Sequence, residues 1–207
     1  MSRINLAPIV EGYGDNAAVR ELLQRVWTEL LGGEYAEILR PIRQSRGKLL
    51  REDGKDLVRA INLALNKLEQ VGGGVVFLLI DAEEDCQKLG ALGPLLLARA
   101  KAERADADIA CAIANVMYET WFVAAAESLN EYLDCGQEIP QDPEAARCGK
   151  EWIRQHIRGR KYSETIDQVR LTHKMDLNLC RQRSHSFDKL CRELEKRMTP
   201  PTSPTLT

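Results

Sequence analysis

Residues 72–85 read GGGVVFLLIDAEED, and much of the architecture can be predicted from this stretch. Three glycines end the preceding segment, six apolar residues follow over 75–80, and four of the next five positions carry carboxylates. An apolar run without polar alternation is typical of a strand buried on both faces, as in a parallel sheet covered by helices. The chain is therefore predicted to fold around a parallel β-sheet.

A second acidic group follows another apolar run near the start of the chain. Residues 4–10 (INLAPIV) predict the first strand, and Glu11 and Asp15 come directly after it. The carboxyl ends of parallel strands line a common crevice, where α/β folds bind ligands. Carboxylates gathered there repel each other unless a cation lies between them, and hard divalent cations take oxygen ligands. We therefore expect a Mg²⁺ or Mn²⁺ site, which indicates phosphate chemistry.

Strands and helices alternate up to about residue 135, and this order predicts a three-layer α/β domain over 1–135. The remaining residues predict a helical extension over 136–198 that packs on this domain, followed by a disordered tail over 199–207. Further strands are expected around 35–42 and 109–116. Helices are expected over about 15–31, 55–71, 94–105, 118–129, 143–158, 163–174, 177–183 and 187–198.

The composition excludes several classes of protein. The 207 residues are 44% hydrophobic, which is ordinary for a soluble globular protein, and no apolar run approaches the roughly 18 residues of a membrane span. The N-terminus lacks a basic region followed by an apolar one, so we expect no signal peptide and a cytoplasmic location. Six cysteines without a C-x-x-C pair and three histidines without H-x-x-x-H spacing do not indicate a zinc site.

The charge is distributed unevenly, although the net charge is only −2. Residues 150–198 contain 13 Lys or Arg against 7 Asp or Glu, and residues 40–51 contain five cations and no acid. Such groups usually form solvated surface, but beside a carboxylate crevice they suit the phosphates of a polyanion. We predict that nucleic-acid phosphates bind six of these side chains: Arg43, Arg46, Lys48, Arg51, Arg160 and Lys161.

Each candidate also has a simpler interpretation. Glu11 is explained equally well as a strand-end acid beside a tight turn. The simpler interpretation of the acids of 81–85 is a solvated loop, but four carboxylates in five residues at the end of a buried strand favour a site. Glu119, at the start of a predicted helix, either joins the crevice or only interacts with the helix dipole. Lys189 lies on an amphipathic helix, where a lysine usually extends its ammonium to solvent. The spacing Gly12-x-Gly14 lacks the third glycine and the lysine of nucleotide-binding loops.

These motifs resemble the Toprim (topoisomerase–primase) domain, which has a glutamate after its first strand and Asp-x-Asp after a later one. Here Glu11-Gly12-x-x-Asp15 and Asp81-x-Glu83 occupy those places. The chain resembles more closely a Toprim-like family of uncharacterised bacterial proteins, related to the nuclease domain of the overcoming-lysogenization-defect ATPases. The stretches that carry this resemblance are 81–90 (DAEEDCQKLG), 118–122 (YETWF), 162–168 (YSETIDQ) and 186–190 (SFDKL).

The resemblance implies a nuclease that uses Mg²⁺ or Mn²⁺ to cleave phosphodiester bonds. Glu11, Asp81 and Glu83 would hold the metal; Glu83 replaces the second aspartate of the Toprim pattern, so Asp85 is an alternative ligand. Glu119 would bind a second ion or act as a base, and Lys189 would stabilise the transition state, with Lys48 the weaker candidate.

The resemblance also indicates partners. DNA is favoured over RNA as the nucleic acid, no membrane is expected, and related proteins suggest a separately encoded ATPase and a role in defence against phages or mobile elements. Two other functions stay open: a regulatory, non-catalytic subunit of such an ATPase, and a hydrolase of small phosphoesters.

Overall fold

A computed structural model of the protein describes residues 3–83, 89–136 and 138–198. The strands are β1 (Arg3–Val10), β2 (Tyr35–Ile38), β3 (Ile42–Arg43), β4 (Val75–Asp81) and β5 (Ile109–Ala114). The α-helices are α1 (Tyr13–Arg25), α2 (Arg46–Leu49), α3 (Lys55–Glu69), α4 (Leu89–Glu103), α5 (Tyr118–Ala124), α6 (Lys150–His156), α7 (Glu164–Lys174), α8 (Leu177–Arg183) and α9 (His185–Glu195). A π-helix, Val26–Leu30, continues α1, and a 3₁₀-helix, Ala126–Leu129, follows α5.

The five strands form one sheet in the order β2-β1-β4-β5, and β3 pairs with β1 beyond the end of β2. All pairings among these strands are parallel, so their carboxyl ends lie at the same edge of the sheet. The predicted α/β fold around a parallel sheet is confirmed. The single strand predicted around 35–42 is split into β2 and β3, which pair with successive parts of β1.

Alternate residues of the strands face two separate helix layers. Leu6 and Phe77 belong to a core cluster that includes residues of α1, α5, α7, α8 and α9, whereas Ile9 and Leu78 belong to a cluster with α3 and α4. Six residues of β4, Val75–Ile80, are buried, as the apolar run predicts. Helices on both faces of a sheet make a three-layer α/β domain.

The helices of the predicted extension pack into the same core as the sheet. Helix α7 lies along α1, and α9 packs against the edge strand β5. The Arg25 guanidinium, at the end of α1, donates hydrogen bonds to the backbone carbonyl oxygens of Thr172 (2.6 Å) and Met175 (3.0 Å) at the end of α7. The C-terminal helices therefore complete one outer layer of the sandwich.

Two predicted helix boundaries are wrong. Helix α4 begins at Leu89 rather than at Pro94, because Leu92 and Leu96 are buried one turn apart against the sheet. The helix predicted over 143–158 is limited to α6, because Arg147 has a left-handed backbone (φ 52°) that interrupts a helix. The predicted tail 199–207 lies outside the described residues. Within the described ranges, no helix is long and apolar enough to cross a membrane.

The turn after the π-helix leaves no room for a side chain at Gly33. The backbone N–H of Gly33 donates to the Trp27 carbonyl oxygen (2.8 Å), and a methyl group on Gly33 would overlap the fully buried Trp27 indole. We predict that Gly33→Ala lowers the free energy of unfolding by about 1–3 kcal/mol, the usual cost of overpacking. Urea denaturation measures this change. Gly47→Ala is the matched control, because no atom lies within 4 Å of its added methyl group; equal stability of the two variants would contradict the prediction.

Candidate functional site

A polar cleft of about 260 Å³ opens at the carboxyl edge of the sheet, where β1 and β4 end. Its walls come from the strand ends, from the segment that leads into α2, and from α5, α6 and α7. The residues that line it are Glu11, Gly12, Ser45, Arg46, Asp81, Glu83, Glu119, Lys150, Glu164 and Gln168.

The parallel pairing of β1 and β4 places the first two acids side by side. The register pairs Val10 with Leu79, so Glu11 follows β1 next to the end of β4. The backbone N–H of Asp81 donates to Glu11 Oε1 (3.1 Å), and Asp81 Oδ1 accepts a hydrogen bond from the backbone N–H of Tyr118 (2.9 Å). Both carboxylates are thus held in defined positions by backbone donors.

Glu83 reaches the cleft from its rim. Its backbone N–H donates to the Val116 carbonyl oxygen (2.8 Å), and its side chain is 55% exposed, 4.0 Å from Arg46 Nε. Glu83 has a left-handed backbone with φ 49°. Non-glycine residues held in this region are strained, and such strain concentrates at functional sites.

Glu119 is buried on α5, with 1% of its surface exposed. Its Oε1 accepts hydrogen bonds from the Tyr162 hydroxyl (2.9 Å) and from Gln168 Nε2 (3.1 Å). Burial, together with the negative charge of Glu119, raises the pKa of Tyr162 far above its ordinary value. The phenol therefore stays protonated and donates to the carboxylate.

Gln168 presents an unsatisfied acceptor in this cleft. Because its amide nitrogen donates to Glu119, the orientation of the amide is fixed. Gln168 is 3% exposed, and within the described part of the chain its Oε1 has no hydrogen-bond partner. A buried acceptor without a donor costs about 1–3 kcal/mol, so this oxygen indicates a ligand or a water in the cleft.

Lys150, at the start of α6, brings a positive charge among these acids. Its Nζ lies 3.0 Å from Glu164 Oε1. Partial burial disfavours the charged ammonium, but the carboxylates of Glu119, Glu164 and Asp81 outweigh this effect and raise the pKa of Lys150. Lys150 therefore carries its charge throughout the neutral range.

The cationic segment 40–51 contributes one arginine to the cleft wall. Arg46 donates from Nε to the Asp81 carbonyl oxygen and from a terminal nitrogen to that of Ala82, each at 3.1 Å. Arg43 and Lys48 are exposed beside it. Arg51 is exposed as well, but it forms ion pairs with two acids that follow it: Asp53 (3.6 Å) and, at the start of α3, Asp56 (3.5 Å).

The other predicted site residues lie elsewhere. Both terminal nitrogens of Arg160 donate to the carboxylate of the buried Asp167, and the distance from Nη1 to Oδ2 is 2.9 Å. The neighbouring Lys161 is exposed. Lys189 lines a separate cavity on the side of β5 and is not among the residues that line the cleft. Asp85 falls outside the described residues.

The site includes residues to which the sequence assigned no role. Glu164 and Gln168 lie four residues apart, hence on one face of α7, inside a stretch quoted for its family resemblance only. This four-residue spacing, in the segment after Tyr162, is the feature of the sequence that could have indicated that Glu164 and Gln168 act together. Lys150 gave no local signal, because its position depends on how the irregular segment before α6 packs. Over residues 3–83, 89–136 and 138–198, no three acidic, histidine or cysteine side chains are arranged to hold a metal ion by themselves.

Comparison with models of protein families matches residues 10–195 to a domain of unknown function, DUF4276. Comparisons with curated proteins and with solved structures give no match. The matched region contains β2 to β5, only the last residue of β1 (Val10), all nine helices named above, and every residue that lines the cleft. Because the match extends over most of the chain, the protein belongs to the DUF4276 family.

Proposed function

We propose that the protein is a Mg²⁺- or Mn²⁺-dependent hydrolase of phosphodiester bonds in nucleic acids. The observation that carries this proposal is that Glu11, Asp81 and Glu119, from three separate elements, line one polar cleft together with Lys150. Carboxylates and a lysine around one small cavity suit a phosphoryl group and a hard divalent cation.

The residues of the cleft fit such a cation. The atoms available to ligate it are carboxylate and amide oxygens, which Mg²⁺ and Mn²⁺ prefer. One of them, Gln168 Oε1, is buried and has no hydrogen-bond partner among the described residues. Proteins usually bind Mg²⁺ through one or two carboxylates, with water and substrate phosphate completing its coordination. Glu11 and Asp81 would hold the cation, with Glu83 at the rim of the cleft. The arrangement of these acids is compatible with a site that has only two or three protein ligands.

When bound, the divalent cation supplies Lewis-acid polarisation of the phosphoryl group and activation of water. Lys150 offsets the charge that develops on the phosphoryl oxygens, and the acids around it keep it protonated. Gln168 Oε1 accepts a hydrogen bond from a water in the cleft, while Glu119 and Tyr162 fix the orientation of the amide. Arg46 holds the end of β4 through two backbone carbonyl groups and thereby keeps Asp81 in place.

The size of the cleft bears on the substrate. A volume of about 260 Å³ accommodates a phosphoryl group and its waters but is small for a whole nucleotide. The described residues that line it include no aromatic side chain, so the cleft offers no surface on which a base would stack. We infer that the nucleic acid is recognised through its backbone, and that the flanking phosphates lie over the exposed cations of 43–48.

A cleavage assay tests the proposal. Supercoiled plasmid, single-stranded DNA, RNA and a small phosphodiester are incubated with Mg²⁺ or Mn²⁺, and EDTA serves as the control. Cleavage of a polymer that EDTA abolishes supports a nuclease, and cleavage of the small ester alone supports a phosphoesterase. Absence of cleavage on all four substrates would contradict the proposal and favour a non-catalytic subunit.

Glu11→Gln and Asp81→Asn each remove one charge and keep an oxygen that accepts the observed backbone hydrogen bond. We predict that each change lowers the cleavage rate by more than the roughly hundredfold that loss of an outer-shell partner causes, while the unfolding midpoint stays close to the original. Rates and urea midpoints are measured together. Glu131→Gln, on the exposed surface, is the matched control and should keep full activity.

Replacement of Lys150 separates its role from metal binding. We predict that Lys150→Gln lowers kcat by about a hundredfold, because one stabilising charge is lost from the transition state, and leaves the affinity for Mn²⁺ unchanged or higher. Kinetics and Mn²⁺ titration measure the two quantities. Lys161→Gln is the control of equal charge, and a similar loss in both variants would show that Lys150 acts only through the overall field.

The exposed cations should affect binding rather than the chemical step. We predict that Lys48→Ala lowers the salt dependence of DNA binding by about 0.9 in the slope of log K against log salt, as expected for the loss of one phosphate contact.

Arg160→Ala should lower stability instead, because it leaves the buried Asp167 carboxylate without its ion-pair partner. Binding at several salt concentrations and urea denaturation distinguish the two. A changed salt slope for Arg160→Ala with unchanged stability would reverse this assignment.

A further inference from the structure

A second cavity lies beside the edge strand, at the carboxyl end of β5. It has a volume of about 410 Å³, larger than that of the cleft. One wall is a face of α9, another is the end of β5, and the segment before α6 contributes the third. Its lining residues are Ile113, Asn115, Glu144, His185, Ser186, Lys189 and Arg192.

The acid in this cavity is already satisfied. Glu144 is 9% exposed, and its Oε1 accepts hydrogen bonds from the Ser184 hydroxyl (2.5 Å), the Ser186 backbone N–H (3.0 Å) and the Ser186 hydroxyl (2.8 Å). Its Oε2 accepts from Asn115 Nδ2 (3.1 Å). Four donors to one carboxylate make Glu144 a fixed part of the wall, whose charge is spread over a hydrogen-bond network.

The same network leaves one acceptor unused. A carboxylate accepts only from the NH₂ end of an amide, so Glu144 fixes the orientation of Asn115. Asn115 Oδ1 is then buried, and no described residue donates to it. This carbonyl oxygen requires a donor, and a hydroxyl group on a ligand in the cavity would supply one.

The face of α9 supplies two cations and a histidine. His185, Lys189 and Arg192 are spaced four and three residues apart, so they lie on one side of the helix. Arg192 is paired with Asp188 (3.0 Å). Lys189 is half-buried, and among the described residues its ammonium forms no ion pair or hydrogen bond. A half-buried ammonium that no described carboxylate contacts favours an anionic ligand.

We propose that this second cavity binds a phosphate monoester that carries a hydroxyl group. Lys189 and Arg192 bind the terminal phosphate oxygens, and the hydroxyl donates to Asn115 Oδ1. Two cations on one helix face match the nearly two negative charges of a phosphate monoester better than the single charge of a carboxylate. The cavity uses none of the residues that line the cleft, so this inference does not depend on the proposed hydrolase activity.

The two sites are neighbours along the chain. Asn115 lines the second cavity, while the next residues hold the cleft: the Val116 carbonyl oxygen accepts from Glu83, and the Tyr118 N–H donates to Asp81. A phosphorylated end of a nucleic acid and a free sugar phosphate both present the required groups. Ribose 5-phosphate and a 5′-phosphorylated oligoribonucleotide distinguish these sources, because only the second gains from contacts outside the cavity.

The test is isothermal titration of the full chain in EDTA, which removes divalent ions and hence any metal-bridged binding in the cleft. The probes are glycerol 3-phosphate, methyl phosphate, which lacks a hydroxyl, and glycerate, which replaces phosphate by carboxylate. We expect glycerol 3-phosphate to bind about fivefold more tightly than methyl phosphate, the effect of one hydrogen bond, and more tightly than glycerate. Lys189→Gln should weaken its binding by at least about tenfold, as loss of a charged hydrogen bond does.

Two further variants make the result decisive. Arg192→Gln changes an exposed side chain and should also weaken binding, so it tests the site even if Lys189→Gln folds poorly. Lys196→Gln, an exposed lysine just after α9, is the control of equal charge and should bind as the unaltered protein does. The proposal is overturned if Lys189→Gln and Arg192→Gln bind glycerol 3-phosphate normally. It is also overturned if only Lys150→Gln, in the cleft, abolishes binding, or if glycerate binds as tightly as the phosphate.

Discussion

The buried charge of Glu119 links the sheet to the C-terminal helices. An ionised carboxylate taken out of water costs several kcal/mol unless donors and a counter-charge surround it. Here the donors come from Tyr162, just before α7, and from Gln168 within it, and the nearby positive charge comes from Lys150 on α6. The segments that complete the fold around Glu119 are therefore the same ones that close the cleft. Any change that separates α7 from α5 exposes the carboxylate and dismantles the cleft at once.

The parallel sheet explains why the remaining acids meet there. Glu11 and Asp81 are 70 residues apart in the chain, but they follow adjacent parallel strands and are joined by a backbone hydrogen bond. Strand order alone thus brings them together, before any side chain contributes. The next strand, β5, ends beside them. Of the residues after it, Asn115 lines the second cavity and Tyr118 donates its backbone N–H to Asp81 in the cleft. One edge of the sheet consequently provides two polar sites.

The sequence predicts what depends on strands and their order, and fails where packing between irregular segments decides. The apolar run 75–80 identifies β4, and the acids after β1 and β4 identify two walls of the cleft, since parallel strands end at one edge. Lys150 escapes prediction because a long stretch without α-helix separates α5 from α6, and no local pattern shows where it leads. Gln168 had a local signal, its spacing from Glu164 on α7, but the sequence alone did not show that this face of α7 lines the cleft. The resemblance implies that Lys189 stabilises the transition state, whereas α9 packs on the outer strand β5 and Lys189 lines the second cavity.

The contacts of the basic residues also limit how the protein can bind a polyanion. The number of Lys and Arg residues in 40–51 and 150–198 suggests, from the sequence alone, two extended phosphate-binding surfaces. In the fold, Arg46 binds the backbone at the end of β4, Arg51 is shared between two acids, and Arg160 is bound to the buried Asp167. Each of these cations is already engaged within the protein, so it releases few counterions on binding. Among the other predicted cations, Arg43, Lys48 and Lys161 are exposed. Under the proposed function, these three charges would bind only a short stretch of backbone. Under the proposed function, such a protein would act on a local phosphate at the cleft rather than track along a duplex. The two cavities at the sheet edge, rather than a broad basic face, would then select that phosphate.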